Sequence, residues 1–348
     1  MSFVKNTVAK NVALQGIPIY RMKKVLFLFL AIGLSLVACS KKSPTSPSLP
    51  DTTGNNTTKP GDTVAYAQWS TIAYDTNTFS LGVQVGKITD PSMMYASGIA
   101  ASRAYPGMFW IENDKDGNSK QIFLVDSTGA KRAVFSVSGA TNRDWTDMTI
   151  GPGPISGQSY LYIADIGDSK ANHSSSFIYR FPEPAMPLGP AVLVGTTAAA
   201  EIIAYKYPDG PRDAETLLID PVSSDLYIVD KNTRSNLYCL PYPQSTDTTI
   251  LAKKLIQSMP IPDGPLRSGG ISPARNEILI KSYTSIYLWK MSSTESVLDA
   301  LLSTPVTIPI TPEIQGEALS YTPDGSAFWT TSKFSSFNYA DLDRYVRK

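Results

Sequence analysis

Five stretches of this chain begin alike, and their spacing restricts the fold more than any other feature. The starts are Ser97-Gly98-Ile99, Asp144 to Met148 (DWTDM), Asp213 to Thr216 (DAET), Ser268 to Ile271 (SGGI) and Gln315 to Ala318 (QGEA). With Gly98, Asp147, Glu215, Gly270 and Glu317 aligned, the intervals are 49, 68, 55 and 47 residues. Each small or acidic start leads into a short strand that often ends in a proline turn. A second strand follows, then a third with the pattern Ile-Tyr-x-apolar. Phe177 to Arg180, Asp225 to Val229 and Ser285 to Trp289 show the strand composition, rich in β-branched and aromatic residues. Helical periodicity is nearly absent; Ser293 to Leu302 (STESVLDALL) predicts one short helix, capped by Ser293 or Thr294. Repeats near 50 residues with three or four strands each predict an all-β fold, a β-propeller. Five blades are visible, and a ring of five or six fits the reading. The longest interval carries insertions around 166–176 and 183–200. A blade buries its faces only against its neighbours, so the ring must close. The last repeat lacks an outer strand, and Phe79 to Val85 is predicted to supply it from the N-terminal side.

Ahead of the repeats, Val25 to Val37 (VLFLFLAIGLSLV) is an uncharged apolar run behind the basic Met22-Lys23-Lys24. It is shorter than the ~20 residues of a spanning helix and has the layout of an export signal. Leu36-Val37-Ala38-Cys39 resembles the lipobox of bacterial lipoproteins, which implies lipid on Cys39, a membrane anchor and cleavage before that residue. Ser40 differs from the aspartate of inner-membrane retention, so the resemblance implies the outer membrane. The expected organisation is a signal over 1–38 (with 22–38 as the true signal if Met22 is the start), a lipidated cysteine and Ser/Thr/Pro/Gly tether over 39–63, and the propeller over 64–348.

The first 38 residues hold five bases and no acid, leaving 26 basic and 30 acidic residues beyond them. No basic field exists to attract nucleic acid. With Cys39 lipidated, Cys239 has no disulfide partner and reads as a buried thiol in Leu237 to Leu240. The single histidine, His173, cannot anchor a zinc cluster, and no G-x-S-x-G elbow is present.

The Ser-Gly-Ile start, the Asp-Trp-Thr-Asp motif with Tyr162-Ile163-Ala164-Asp165-Ile166-Gly167-Asp168 downstream, and the later Asp-Ala-Glu and Gly-Glu-Ala motifs resemble exported bacterial propellers of the SdiA-regulated and phytase-esterase-like group, loosely kin to calcium-dependent lactonase propellers. The likeness covers roughly residues 90 to 340. Family members often carry Glu where this chain has Asp147, and Gly270 supplies no side chain.

In a propeller the first strand of each blade lines the channel and the second returns antiparallel, so first-strand starts and second-strand ends share one mouth. Asp147, Glu215 and Glu317 are expected there, joined by Glu112 to Asp114, Asp165, Asp168 and Asp230-Lys231. Carboxylates so gathered must be protonated, paired with cations or bound to metal. Three readings stay open. Calcium would take oxygen ligands from Asp147, Glu215, Glu317, Asp165 and Asp168. Asp147, Glu215 and Glu317 could instead share acid, base and tuning roles in glycosidic cleavage. Or the acids are structural, paired with Arg143, Arg212 and Arg267. Those arginines and Trp145 are also the candidate ligand contacts; Trp110 and Trp329 read as core. The expected role is a membrane-anchored ligand-binding or scaffold protein for a small molecule, glycan or protein. The alternative is a metal-dependent esterase or phosphatase-like hydrolase, or a glycosidase, using the same acids.

Overall fold

The computed structural model describes residues 63–114, 119–334 and 338–348. Five sheets, each with an antiparallel four-stranded core, stand around a common axis as a five-bladed propeller. Blade I is built from Ala96–Ala101, Met108–Asn113, Gln121–Asp126 and Lys131–Ser136. Blade II uses Trp145–Pro152, Ser159–Asp165, Ser176–Pro182 and Glu201–Lys206. Blade III uses Ala214–Ile219, Leu226–Asp230, Leu237–Leu240 and Lys253–Gln257. Blade IV uses Ser268–Ile271, Glu277–Lys281, Ile286–Lys290 and Val306–Ile308. Blade V has Gly316–Tyr321, Ala327–Ser332 and Ala340–Val346. Its fourth strand, Val83–Ile88, comes from the N-terminal side and pairs antiparallel with Ala340–Val346. The predicted closure is thus present, shifted a few residues along; Phe79 adds a bridge to Arg347.

Successive first strands pack side by side around the axis, which explains the small residues at the repeat starts. A Cβ on Gly98 would lie 2.5 Å from the Met148 backbone nitrogen of blade II. The core is divided into five wedges, one between each pair of adjacent blades. Trp110, Phe135, Trp145 and Tyr179 fill the wedge between blades I and II. Tyr162, Tyr205 and Tyr238 lie between II and III. Between III and IV are Leu218, Cys239, Ile278, Tyr287 and Trp289; between IV and V, Phe79, Leu288, Phe328 and Tyr345; between V and I, Ile88, Phe109 and Trp329. Burial pushes the Cys239 thiol up to about 12, so it stays a protonated, inert packing group. The helix is shorter than predicted, Val297–Leu302, and its cap is Ser296, whose hydroxyl accepts from Asp299 N at 3.0 Å.

Blades I to IV each carry a further, parallel strand on the outer edge. Leu193–Thr196 leaves blade II to pair with blade I, and Ile250–Leu251 leaves blade III to pair with blade II. Ala65–Tyr66 covers blade III and Ala73–Tyr74 covers blade IV. The segment read as an insertion at 183–200 therefore holds a strap to the preceding blade. These straps occupy edges that would otherwise expose unpaired backbone. Among the described residues no helix is long and apolar enough to cross a membrane. The signal, Cys39 and most of the tether lie outside the described residues.

Candidate functional site: a charged channel mouth

Where first strands begin and second strands end, a cavity of about 180 Å³ opens on the axis, lined by residues of all five blades. β-Bulges shape it. In blades I, II, III and V the first strand carries one extra residue against the second: Ser97, Thr146, Glu215 and Glu317. A bulge re-aims its side chain, and all four line the cavity. Blade IV has no register shift, and Arg267, just before its first strand, lines the cavity there.

The charges alternate. Lys231 bridges Asp213 (3.7 Å) and Glu215. Arg267 bridges Glu215 (3.3 Å) and Glu317 (3.9 Å). Lys333 bridges Glu317 (3.7 Å) and Asp114. Asp213, Lys231, Glu215, Arg267, Glu317, Lys333 and Asp114 thus form an arc running from blade III through IV and V to blade I. Tyr283 donates from its hydroxyl to Glu317 Oε1 at 2.9 Å, and Arg267 lies 3.9 Å over the Tyr283 ring. Glu317 Oε2 is buried and accepts no hydrogen bond. Burial raises the Glu215 carboxyl, and Glu317 adds to that against the pull of Lys231 and Arg267. Burial alone would lower the Lys333 ammonium, but Asp114 and Glu317 hold it above its ordinary value.

Glu112 lies beneath this ring. It is fully buried, accepts from Ser97 Oγ at 2.9 Å through Oε1, and leaves Oε2 without a partner. Burial is the main cause that pushes its carboxyl up to about 8, with Asp114 and Asp144 adding to it.

The structure brings Glu215, Glu317 and Arg267 together in the cavity wall, which Trp145 also reaches, but not the other candidates. The alignment of Asp147 with Glu215 and Glu317 is off by one residue. Asp147 pairs with Ala164 as Gly98 does with Glu112, Thr216 with Val229 and Ala318 with Thr331. It is therefore one layer below the mouth, fully buried. Its carboxyl accepts from Met148 N, Leu217 N and Ser268 Oγ, each at 2.9 Å, and Ser268 Oγ accepts from Leu319 N at 3.0 Å. This is a brace joining blades II, III, IV and V. Burial holds the Asp147 carboxyl well above the ordinary range.

Asp165 accepts the Arg143 and Asp144 backbone amides at 3.2 and 2.8 Å. Asp168 accepts His173 N at 2.7 Å, and its own amide donates to Asp213 Oδ1 at 2.7 Å, so it orients a mouth acid. Arg143 bonds Ser175 O and covers Phe177; Arg212 is held by Asp209. Trp145 does not offer its ring to a ligand. The indole is fully buried, with Nε1 donating to Thr141 O at 2.8 Å. Trp110 and Trp329 are core, as read.

Sequence reasoning missed Lys333 and Tyr283 and left Lys231 without a role. Lys231 and Lys333 each directly follow a second strand, where blade I has Asp114; aligning those ends would have found them.

Lys231, Arg267 and Lys333 already stand between the carboxylates, and an ion would have to displace them. Among the described residues no group of three or more His, Cys, Asp or Glu side chains is placed to hold a metal.

No protein-family model and no curated protein matches this chain. The propeller architecture therefore stands on the sheets themselves.

Proposed function

We propose that the charged mouth binds a compact ligand carrying both an ammonium and a carboxylate, such as an amino acid or a short peptide terminus. The observation that carries this reading is Glu317 Oε2, a buried acceptor in the cavity wall that has no hydrogen-bond donor and only a long ion-pair contact, 3.9 Å, to Arg267. Each mouth cation is shared between two acids, so a ligand carboxylate can replace one of them while the ligand ammonium takes the acid released. A ligand with one charge would leave a partner uncompensated in a poorly hydrated site. A sugar face finds no free aromatic platform, since Trp145 is core and Tyr283 is covered by Arg267.

The test is calorimetric titration and thermal shift with amino acids, dipeptides, neutral monosaccharides and calcium. Zwitterions are expected to bind and to raise the melting temperature; sugars and calcium are not. Glu317→Gln should weaken zwitterion binding about tenfold or more with a near-native melting temperature. A response to calcium alone, lost in chelator, would return the mouth to the calcium reading. A response to sugars alone would favour a glycan site, and silence from all probes would leave the ring a structural brace.

The hydrolase alternative rests on Glu112, which burial keeps protonated at neutral pH and which could donate a proton through the mouth. Turnover in a panel of esters, phosphoesters and glycosides, abolished by Glu112→Gln, would establish it. The SdiA-regulated and phytase-esterase-like resemblance belongs to the same alternative.

We further propose that the chain is exported and held on the outer membrane by lipid on Cys39, with residues 40–63 as the tether. Leu36-Val37-Ala38-Cys39 behind the apolar run supports this. Cys39→Ser should abolish incorporation of a fatty-acid probe and release the protein from the membrane fraction. Equal labelling of the variant would refute the anchor.

A further inference from the structure

The opposite end of the channel has different chemistry. The turns joining first and second strands there read Asp220-Pro221 in blade III, Ser272-Pro273 in blade IV and Thr322-Pro323 in blade V. In each, the residue before proline caps the turn with a side-chain oxygen. Asp220 Oδ1 accepts from Val222 N at 2.8 Å, Ser272 Oγ from Glu277 N at 3.1 Å, and Thr322 Oγ1 from Ala327 N at 3.1 Å. Blade I keeps the cap, with Ser102 Oγ accepting from Tyr105 N at 2.9 Å. The next residue, however, is Arg103 rather than proline. A guanidinium therefore stands where the other blades present an apolar ring.

The three prolines and Arg103 wall a cavity of about 670 Å³ that also takes in Arg344 from the third strand of blade V. A second cavity, about 280 Å³, shares Arg344 and runs between blades I and V past Phe109 and Trp329. The result is an apolar groove with two cationic heads.

Neither head is in an ion pair with a described carboxylate, although the charge of Glu183 faces Arg103 and Asp324 shares the cavity wall. Arg103 reaches only the Ile150 carbonyl, at 3.5 Å. The acid that faces it, Glu183, acts on it through charge without an ion-pair contact; its oxygens accept from Ser102 Oγ, Arg103 N, Ala104 N and Trp110 Nε1. The acid in the cavity wall, Asp324, is held within its own turn by Thr322 Oγ1 and by Ser326 N and Oγ. By contrast, Arg180, Arg212, Arg275 and Arg347 are each held by a carboxylate. A guanidinium presents a planar fork of donors that matches a carboxylate or phosphate.

We propose that this second mouth binds an organic anion with an apolar body, its head between Arg103 and Arg344 and its body on Pro221, Pro273 and Pro323, reaching toward Phe109 and Trp329. The site is independent of the charged mouth in both position and chemistry, so the two readings stand or fall apart.

The probe is decanoate, in competition with a fluorescent naphthalene sulfonate bound to the full folded domain. Decyl phosphate tests the other head group, and decanol and decylammonium are the controls. Decanoate or decyl phosphate should displace the fluorophore and the controls should not. Arg103→Ala and Arg344→Ala should each weaken the anion about tenfold, and the double variant should abolish binding, with melting close to wild type because both side chains are exposed. Arg103→Lys and Arg344→Lys should retain part of the affinity, and Glu317→Gln should change nothing. Equal binding of decanol and decanoate, wild-type affinity in the double alanine variant, or an equal loss in Glu317→Gln would each overturn the assignment.

Discussion

A chain truncated to begin at residue 89 is expected not to fold, whereas one lacking only residues 40–62 should melt within about 2 °C of the intact chain. Blade V supplies three strands of its own, and the longer deletion removes the fourth, Val83–Ile88. It also removes two fully buried side chains from two different wedges. Phe79 packs edge-on to Phe328 at 4.9 Å beneath the Arg347 guanidinium, between blades IV and V. Ile88 lies between blades V and I. Vacating a phenylalanine site costs about 3–5 kcal/mol and an isoleucine site about 2–5 kcal/mol. The lost strand pairing adds to this, against a total stability of about 5–15 kcal/mol. Circular dichroism melting of the two truncations decides the matter; native-like melting of the longer one would mean that the ring closes some other way.

Stability should also fall as pH rises, and Glu112 should account for much of the fall. Its carboxyl is raised from the ordinary 4.5 to about 8, chiefly by burial. Below the ordinary value both folded and unfolded chains are protonated and the group contributes nothing. Between there and about 8 the unfolded chain ionises while the folded one keeps its proton, so each pH unit removes up to about 1.4 kcal/mol. Above about 8 the penalty is complete. Glu112→Gln mimics the protonated acid. It should change stability little at pH 5 and add up to about 5 kcal/mol at pH 9, read from urea unfolding. Asp147 is shifted in the same direction by burial, so some alkaline decline should persist in the variant. An equal effect of the substitution at both pH values would remove Glu112 as the titrating group.

The repeat starts revealed the ring because crowding at the axis leaves a direct mark: only small or polar residues fit where first strands meet. The closing strand was legible because the last repeat ran short by one. The misplacement of Asp147 has an equally specific cause. Thr146, not Asp147, holds the bulge position that Glu215 and Glu317 occupy, and an alignment by residue type chose the neighbouring acid, whose side chain belongs to the next layer. First strands such as Ala214–Ile219 are buried throughout, so no polar–apolar alternation survives in the sequence to show the bulge. Trp145 is the last residue before the bulge, and its ring turns into the wedge between blades I and II. The outer straps left no mark either. Ala65–Tyr66, Ala73–Tyr74 and Ile250–Leu251 are two residues each, held to a neighbouring edge by backbone groups that any sequence possesses.

The straps also determine how the protein responds to a pull. Residues 65–88 run around the rim of blades III, IV and V in that order. Tension applied ahead of Ala65 first reaches a two-residue pairing on blade III, then another on blade IV, and only afterwards the strand that closes the ring. Peeling the first two frees about 13 residues, roughly 45 Å of extended chain, up to the Phe79 bridge to Arg347. Two short pairings thus stand in series ahead of the clasp of the ring, so a pull from the N-terminal side meets the weakest links first.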